Sequence, residues 1–296
     1  MNRWQNLINR LGAIIADGAM GTMLQQAGLK PGELPTLWNV EHAKRVRAVH
    51  GAYLAAGAQI LLTNTFSGNR FCLAKHGLAS RVEELNMAGA RILRAEIETQ
   101  NKQGAALVAG DIGPSGELLS PLGTLSFTEA VDGFAEQARA LIKGGADVIW
   151  IETMADLEEV RAAVEGTRQA CSDIPIIATL TFDTHGRTMM GVKPEAAAGV
   201  LMGWGIAAFG GNCGNGPDEM LAAIGKMHAA APGAILVAKS NAGAPEFVNG
   251  ATVYRASPET MAEAARQLRA AGARIIGGCC GTMPEHIAAM ARAVLL

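Results

Sequence analysis

The feature that most constrains this chain is an alternation repeated eight times, a short apolar run followed by a longer stretch with helical periodicity. The apolar runs fall at residues 14–17, 59–64, 106–111, 148–152, 176–182, 207–211, 235–239 and 274–278. Helical patterns begin near Ala43, Arg81, Thr128, Asp156, Pro194, Pro217, Pro258 and Pro284. Segments such as ILLTN, VIWIE and ILVAK are apolar without alternation, as parallel strands covered on both faces require. A proline at a first helical position, or Asp or Thr beside it, is an opening signal for several of the helices. Eight such units in 296 residues predict a (β/α)8 barrel, one domain over residues 1–296, in preference to an open doubly wound sheet. Residues 3–12 are expected to form a helix closing the barrel bottom, and the connection 113–125 an ordered active-site loop.

Composition narrows the function classes. A formal net charge of −2 carries no basic surplus for nucleic acid. No apolar run reaches the roughly eighteen residues of a membrane span, and the N-terminus lacks a secretory pattern. Five cysteines, two of them adjacent at Cys279 and Cys280, do not form a disulfide framework. A reduced, cytoplasmic location is the expectation.

Barrel enzymes carry their chemistry where the strands end. Here those positions hold Asp17, Thr63, Asn64, Asp111, Glu152, Asp183, Cys213, Lys239, Asn241, Cys279 and Cys280. A single polar residue there can simply mark where a strand stops. Three cysteines are a sharper signal. Cys213 lies in GGNCGNG after the sixth run, and Cys279 and Cys280 lie in GGCCGT after the eighth. Consecutive strand residues point to opposite faces, so both adjacent sulfurs reach one ion only if the backbone leaves the strand, which the flanking glycines allow. Three thiolates around Zn²⁺ leave the fourth position open, the catalytic arrangement. Their charge makes the zinc a weak Lewis acid, poor at activating water but able to deprotonate a bound thiol. That points to S-alkyl transfer. The competing reading is three buried structural cysteines. Cys72 and Cys171 lie outside the pattern and are expected to be ordinary buried thiols. Asp111 and Asp183 are expected to support the mouth without a part in the chemistry. None of the six histidines falls at a strand end; His42, His50 and His286 sit on helical stretches, as surface or packed residues.

Taken together, DGAMGTMLQ from Asp17, TNTF from Thr63, IET from Ile151, NCG from Asn212 and GGCCGT from Gly277 resemble the homocysteine S-methyltransferase family. The motifs occur in family order and span Asp17 to Thr282. The resemblance implies a (β/α)8 barrel, one zinc ion on Cys213, Cys279 and Cys280, and homocysteine as methyl acceptor, with methionine as product. It implies that Glu152 and Asp17 bind the substrate ammonium, and that the backbone N–H groups of Gly18, Ala19 and Met20 bind its carboxylate. Asn212 is expected to support the metal site by hydrogen bonding.

The family's donors include betaine, methylsulfonium compounds and a methylcorrinoid. Quaternary ammonium groups are held in aromatic cages. Betaine-using relatives place tyrosines where this chain has Ser67 and Thr153, and Trp38 matches their tryptophan. The TNTF and IET segments look more like the homocysteine barrel of cobalamin-dependent methionine synthase. The donor expected here is therefore a methylcorrinoid carried by a separate protein, with betaine or a methylsulfonium compound as the alternative. Two other classes compete: a structural-zinc or zinc-storage barrel, which needs a fourth protein ligand, and a lyase or aldolase using Lys239 as a Schiff base.

Overall fold

The structure, a computed structural model, describes every residue except Met1, Thr184, Asn249, Gly250 and Leu296. Eight parallel strands run β1 (Ile14–Ile15), β2 (Ile60–Leu62), β3 (Leu107–Ile112), β4 (Val148–Met154), β5 (Ile176–Leu180), β6 (Ala208–Cys213), β7 (Leu236–Ser240) and, after a hairpin of β8 (Glu246–Val248) and β9 (Ala251–Val253), β10 (Ala273–Gly278). The sheet order is β1-β10-β7-β6-β5-β4-β3-β2. Its two ends meet: Ala16 bridges Ile60, the Gln59 N–H reaches Ile15 O at 2.7 Å, and the Asp17 N–H reaches Ile60 O at 3.0 Å. The expected barrel therefore forms, and an open sheet does not.

The helices are α1 (Arg3–Arg10), α2 (Met20–Gln26), α3 (Trp38–Glu41), α4 (Ala43–Ala55), α5 (Arg70–Ala74), α6 (Val82–Thr99), α7 (Phe127–Lys143), α8 (Leu157–Ala170), α9 (Pro194–Gly203), α10 (Pro217–Ala230), α11 (Pro258–Ala270) and α12 (Pro284–Leu295). Local chemistry sets their starts. Proline opens α9, α10, α11 and α12, where its missing N–H costs nothing. Asp156 caps α8, and Ser126 with Glu129 forms a reciprocal capping box on α7.

Strand alternation divides the core in two. One face of each strand points into the barrel, where Ile14, Ile60, Leu107, Val148, Trp150, Ile177, Val237 and Ile275 pack with Trp4, Leu7 and Ile8 of α1. That helix closes the bottom, and the Arg274 guanidinium ties it down by donating to Leu11 O at 2.9 Å and to Ile8 O. The opposite strand face packs against the outer helices in a larger cluster.

Several details depart from the sequence reading. β2 is shorter than expected, and β4 runs on to Met154 through a register shift after Ile151. The β8–β9 hairpin lies in what read as a plain connection. The 113–125 loop is ordered: Ser115 gives its N–H and its hydroxyl to Glu159 Oε1 at 2.8 and 2.6 Å. None of its residues lines the cavity at the barrel mouth.

Candidate metal and substrate site

The inward columns of the strands end in polar groups. Counting by twos from the apolar interior leads from Ala109 to Asp111, from Trp150 to Glu152, from Val237 to Lys239, from Ala208 to Asn212 and from Ile275 to Cys279. All of these polar groups but Asn212 line a cavity of about 340 Å³ at the C-terminal mouth, together with Asp17–Thr22, Asn64, Phe66, Thr153, Cys213 and Cys280.

The three cysteine sulfurs meet there. All lie within 4.8 Å of one another, and Cys213 Sγ is 2.9 Å from Cys279 Sγ. Two backbone devices bring them together. Cys213 ends β6 with φ of +61°, a left-handed conformation that turns its side chain out of the strand pattern. Cys279 still donates its N–H to Ser240 O of β7 at 2.9 Å, whereas the Cys280 N–H turns to Asn241 Oδ1 at 3.0 Å. The chain thus leaves the strand between them, and Thr282 closes the turn by giving its N–H and hydroxyl to Cys279 O at 3.1 and 2.6 Å. A Cβ on Gly278 would stand 2.2 Å from Thr282 Oγ1, so glycine is required there.

The donor set fits a soft divalent cation. Tetrahedral thiolates about 2.3 Å from zinc are roughly 3.8 Å apart, within the compass of this cluster. Hydrogen bonds from Cys213 and Cys279 pull the Cys280 thiol far below its usual value, while Cys213 is pushed up because it supplies the proton. Among the described residues no fourth His, Cys, Asp or Glu joins the group.

Asn212 braces the sulfurs. Its Nδ2 faces Cys213 Sγ at 3.6 Å and Cys279 Sγ at 3.9 Å. It also donates to Thr153 Oγ1 at 2.7 Å, and its Oδ1 accepts the Thr153 N–H at 2.8 Å. This pair of hydrogen bonds holds Thr153 at φ of +60°, unusual for a β-branched residue. Tyr254, which the sequence reading missed, hydrogen-bonds Cys280 from beyond the β8–β9 hairpin. Nothing in local sequence marks it, because a long connection carries it back over the mouth.

The carboxylates divide into two kinds. Asp17, expected at the substrate ammonium, is already engaged: Oδ1 accepts from Lys239 Nζ and Oδ2 from the Leu62 N–H, both at 2.8 Å. Burial lowers the Lys239 pKa, but the charges of Asp17 and Glu152 outweigh it and hold the ammonium above the ordinary lysine range. A Schiff-base lysine must lose that proton, which the ion pair with Asp17 opposes. Glu152 and Asp111 have no such partner. Glu152 Oε2 and Asp111 Oδ1 are buried and accept no hydrogen bond. Burial, with the charges of Cys279 and Asp17 only partly offset by Lys239, pushes Glu152 up to about 8; burial and then the charge of Glu152 raise Asp111 well above the usual carboxylate range.

Other expectations need correction. The Ala19 N–H donates to Thr282 O at 3.0 Å, so it is not free for a ligand carboxylate. Trp38 is buried outside the cavity, edge-on to His42 and under the Arg45 guanidinium, and contributes to no cage. Ser67 and Thr153 do line the cavity. Cys72 and Cys171 are half-buried rather than buried, and Cys72 donates to the carbonyls of Pro114 and Ser115, both at 3.4 Å. His286 is packed at the start of α12, where Nδ1 accepts the Met283 N–H, and His50 is wholly enclosed.

Comparison with known proteins agrees with this geometry. Methionine synthases from Mycobacterium leprae and Mycobacterium tuberculosis are 33% and 34% identical over 95% of the chain. The chain spans about a quarter of the length of these curated relatives, 24% of each. Among solved structures, the oxidized form of the homocysteine methyltransferase MmuM from Escherichia coli superposes with a TM-score of 0.83 at 26% identity, covering 99% of both chains. The metallated form of the same protein gives 0.81 at 27% identity, covering 98% of this chain and 99% of that one. The sequence model of a family described as homocysteine S-methyltransferase matches residues 14–294, and with that match running through almost the whole barrel the chain belongs to the homocysteine S-methyltransferase family.

Proposed function

We propose that this chain is a zinc-dependent methyltransferase that moves a methyl group onto the thiol of homocysteine, forming methionine. The observation that carries the reading is the cluster of three sulfurs within 4.8 Å at the cavity wall, with no fourth protein ligand among the described residues. A structural or storage site closes its coordination with protein groups; a catalytic one keeps a position for the substrate. The metallated form of the E. coli neighbour supports a metal here. Zinc held on Cys213, Cys279 and Cys280 would lower the pKa of an acceptor thiol at neutral pH.

The chain's own groups orient the acceptor. Glu152 binds its ammonium. The backbone N–H groups of Gly18 and Met20 receive its carboxylate, while Ala19 keeps the loop against Thr282. Asn212 and Tyr254 fix the sulfurs from behind. In the transfer, a new S–C bond forms as the bond from methyl to donor breaks, the electron pair of that bond leaves with the donor, and the thiol proton passes to solvent. The cluster must stay reduced for this, which fits a cytoplasmic setting.

The donor in this reading is a methylcorrinoid on a separate protein. Phe66 is the one aromatic residue among those lining the cavity, too few for a cage around a trimethylammonium group. The mouth loops also carry exposed Leu118, Leu122, Met189 and Phe247, apolar surface suited to a protein partner. A betaine- or methylsulfonium-using enzyme is the second reading. It is favoured by the full-length match to a homocysteine methyltransferase of the same extent as this chain. Zinc analysis followed by methionine assays with betaine, S-methylmethionine, S-adenosylmethionine and methylcobalamin tests all of this. One zinc per chain and turnover from methylcobalamin alone supports the corrinoid donor. Turnover from a small donor replaces it with that donor. A reduced preparation that binds no zinc overturns the function.

A further inference from the structure

Asp111 is a buried acid at the mouth whose backbone N–H and carbonyl are held by side chains while its carboxylate Oδ1 is unpaired. Its N–H donates to Thr63 Oγ1 at 3.0 Å, and its carbonyl accepts from Thr65 Oγ1 at 2.7 Å and Gln137 Nε2 at 3.3 Å. Three side chains thus fix this strand end, while the carboxylate Oδ1, in a residue only 4% exposed, accepts nothing. A buried acceptor left unpaired costs on the order of 1–3 kcal/mol, more when charged. Buried polar groups in native interiors are nearly always paired, so an unpaired one that faces a cavity calls for a partner.

The geometry says which ligand. Asp111 lies on β3 opposite Trp150 of β4, two residues before Glu152 on the same inward face, so the two acids are diagonal neighbours on adjacent strands and both line the cavity. The nearby cation, Lys239, is bound to Asp17. The pair therefore faces the cavity as two acceptors without a donor, and the same cavity is lined by Cys213 and Cys279. A primary ammonium offers three N–H donors and one positive charge, which matches two adjacent carboxylates.

We propose that Asp111, together with Glu152, forms the receptor for the acceptor's ammonium group. Asp111 adds a carboxylate to Glu152 and Asp17, of which Asp17 is already engaged by Lys239 and the Leu62 N–H. This rests on the reading of the acceptor as homocysteine and extends it, making Asp111 a specificity-determining residue that selects acceptors with a free amine. The upward displacement of both carboxyls agrees: without a cation they resist sharing the buried space as two charges.

The test is calorimetric binding of two thiols to the zinc-loaded protein, L-homocysteine and its amine-less analogue 4-mercaptobutanoate. Zinc content and melting temperature are followed in parallel. Wild type should prefer homocysteine. Asp111→Asn, close in size and shape, should weaken homocysteine by at least about tenfold. It should leave 4-mercaptobutanoate within about twofold and zinc unchanged. Asp111→Ser is the second variant should the first fold poorly, and the same split is expected of it. Equal losses for both thiols would assign Asp111 a purely structural role and overturn the proposal, as would unchanged homocysteine affinity. A wild-type protein that binds zinc and both thiols equally overturns the ammonium receptor alone. A wild-type protein that binds neither thiol overturns the homocysteine reading with it.

Discussion

Lys239 Nζ lies 2.8 Å from Asp17 Oδ1, with both side chains almost wholly withdrawn from solvent. The pair reaches across β10, and Asp17 Oδ2 goes on to accept the Leu62 N–H of β2, so it joins three strands at the seam where the barrel closes. The ammonium also sits 5.2 Å from the centre of the Trp150 ring below it. Breaking a buried pair by removing one partner costs about 3–5 kcal/mol, because the other charge is left uncompensated. Lys239→Met should lower unfolding free energy by that order, and the double variant Asp17→Asn/Lys239→Met by less than the two single losses together. Urea unfolding of the four proteins measures the coupling; strictly additive losses would deny it.

Cys213→Ser and Cys280→Ser should each lose zinc and methyl transfer together, since a hydroxyl is a poor substitute for thiolate on this ion. Metal analysis beside a methionine assay reads both. A variant that keeps a full complement of zinc and full activity removes that cysteine from the ligand set.

Glu152→Ala should raise the dissociation constant for homocysteine by about tenfold or more and leave zinc bound. Loss of zinc in this variant would mean that Glu152 serves the metal rather than the substrate.

Asn212 touches the site through four hydrogen-bonding contacts, two to Thr153 and two to the sulfurs of Cys213 and Cys279. Removing an outer partner of this kind weakens metal binding by about 10- to 100-fold. Asn212→Ala should show that loss in a competitive chelator titration with its far-ultraviolet circular dichroism unchanged. Wild-type zinc affinity in the variant would make the amide dispensable.

His50 gives a pH dependence with a defined sign. Neither ring nitrogen finds a partner, and burial, opposed only by Glu96, lowers its pKa from 6.5 to about 4. Glu96 is itself held by Arg47 at 2.6 Å. Between those pH values the unfolded chain binds a proton that the folded chain does not, so stability falls as pH drops through the window. The full effect is roughly 3 kcal/mol. His50→Leu should flatten the difference between urea midpoints at pH 7 and pH 4.5; an unchanged difference would place the acid sensitivity elsewhere.

The sequence by itself determined the barrel, its bottom helix, the strand ends that bear chemistry and the cysteine trio. These follow from local rules: apolar runs of strand length, proline and side-chain caps at helix starts, and the two-residue alternation that carries Ala109 to Asp111 and Trp150 to Glu152. Glycines beside Cys279 announced that the backbone could leave the strand there, and the turn closed by Thr282 is how it does so.

Tertiary structure alone decided how the polar groups share partners. Asp17 and Lys239 are 222 residues apart in sequence, and only barrel closure places them together and engages Asp17 Oδ1 with the lysine ammonium. The same closure gives the Ala19 N–H to Thr282, brings Tyr254 over Cys280 and leaves Asp111 without a donor. Composition lists donors and acceptors, but each can serve only the groups that the fold brings within about 3 Å. That choice is made by the whole barrel at once, since strands distant in sequence become neighbours only when it closes.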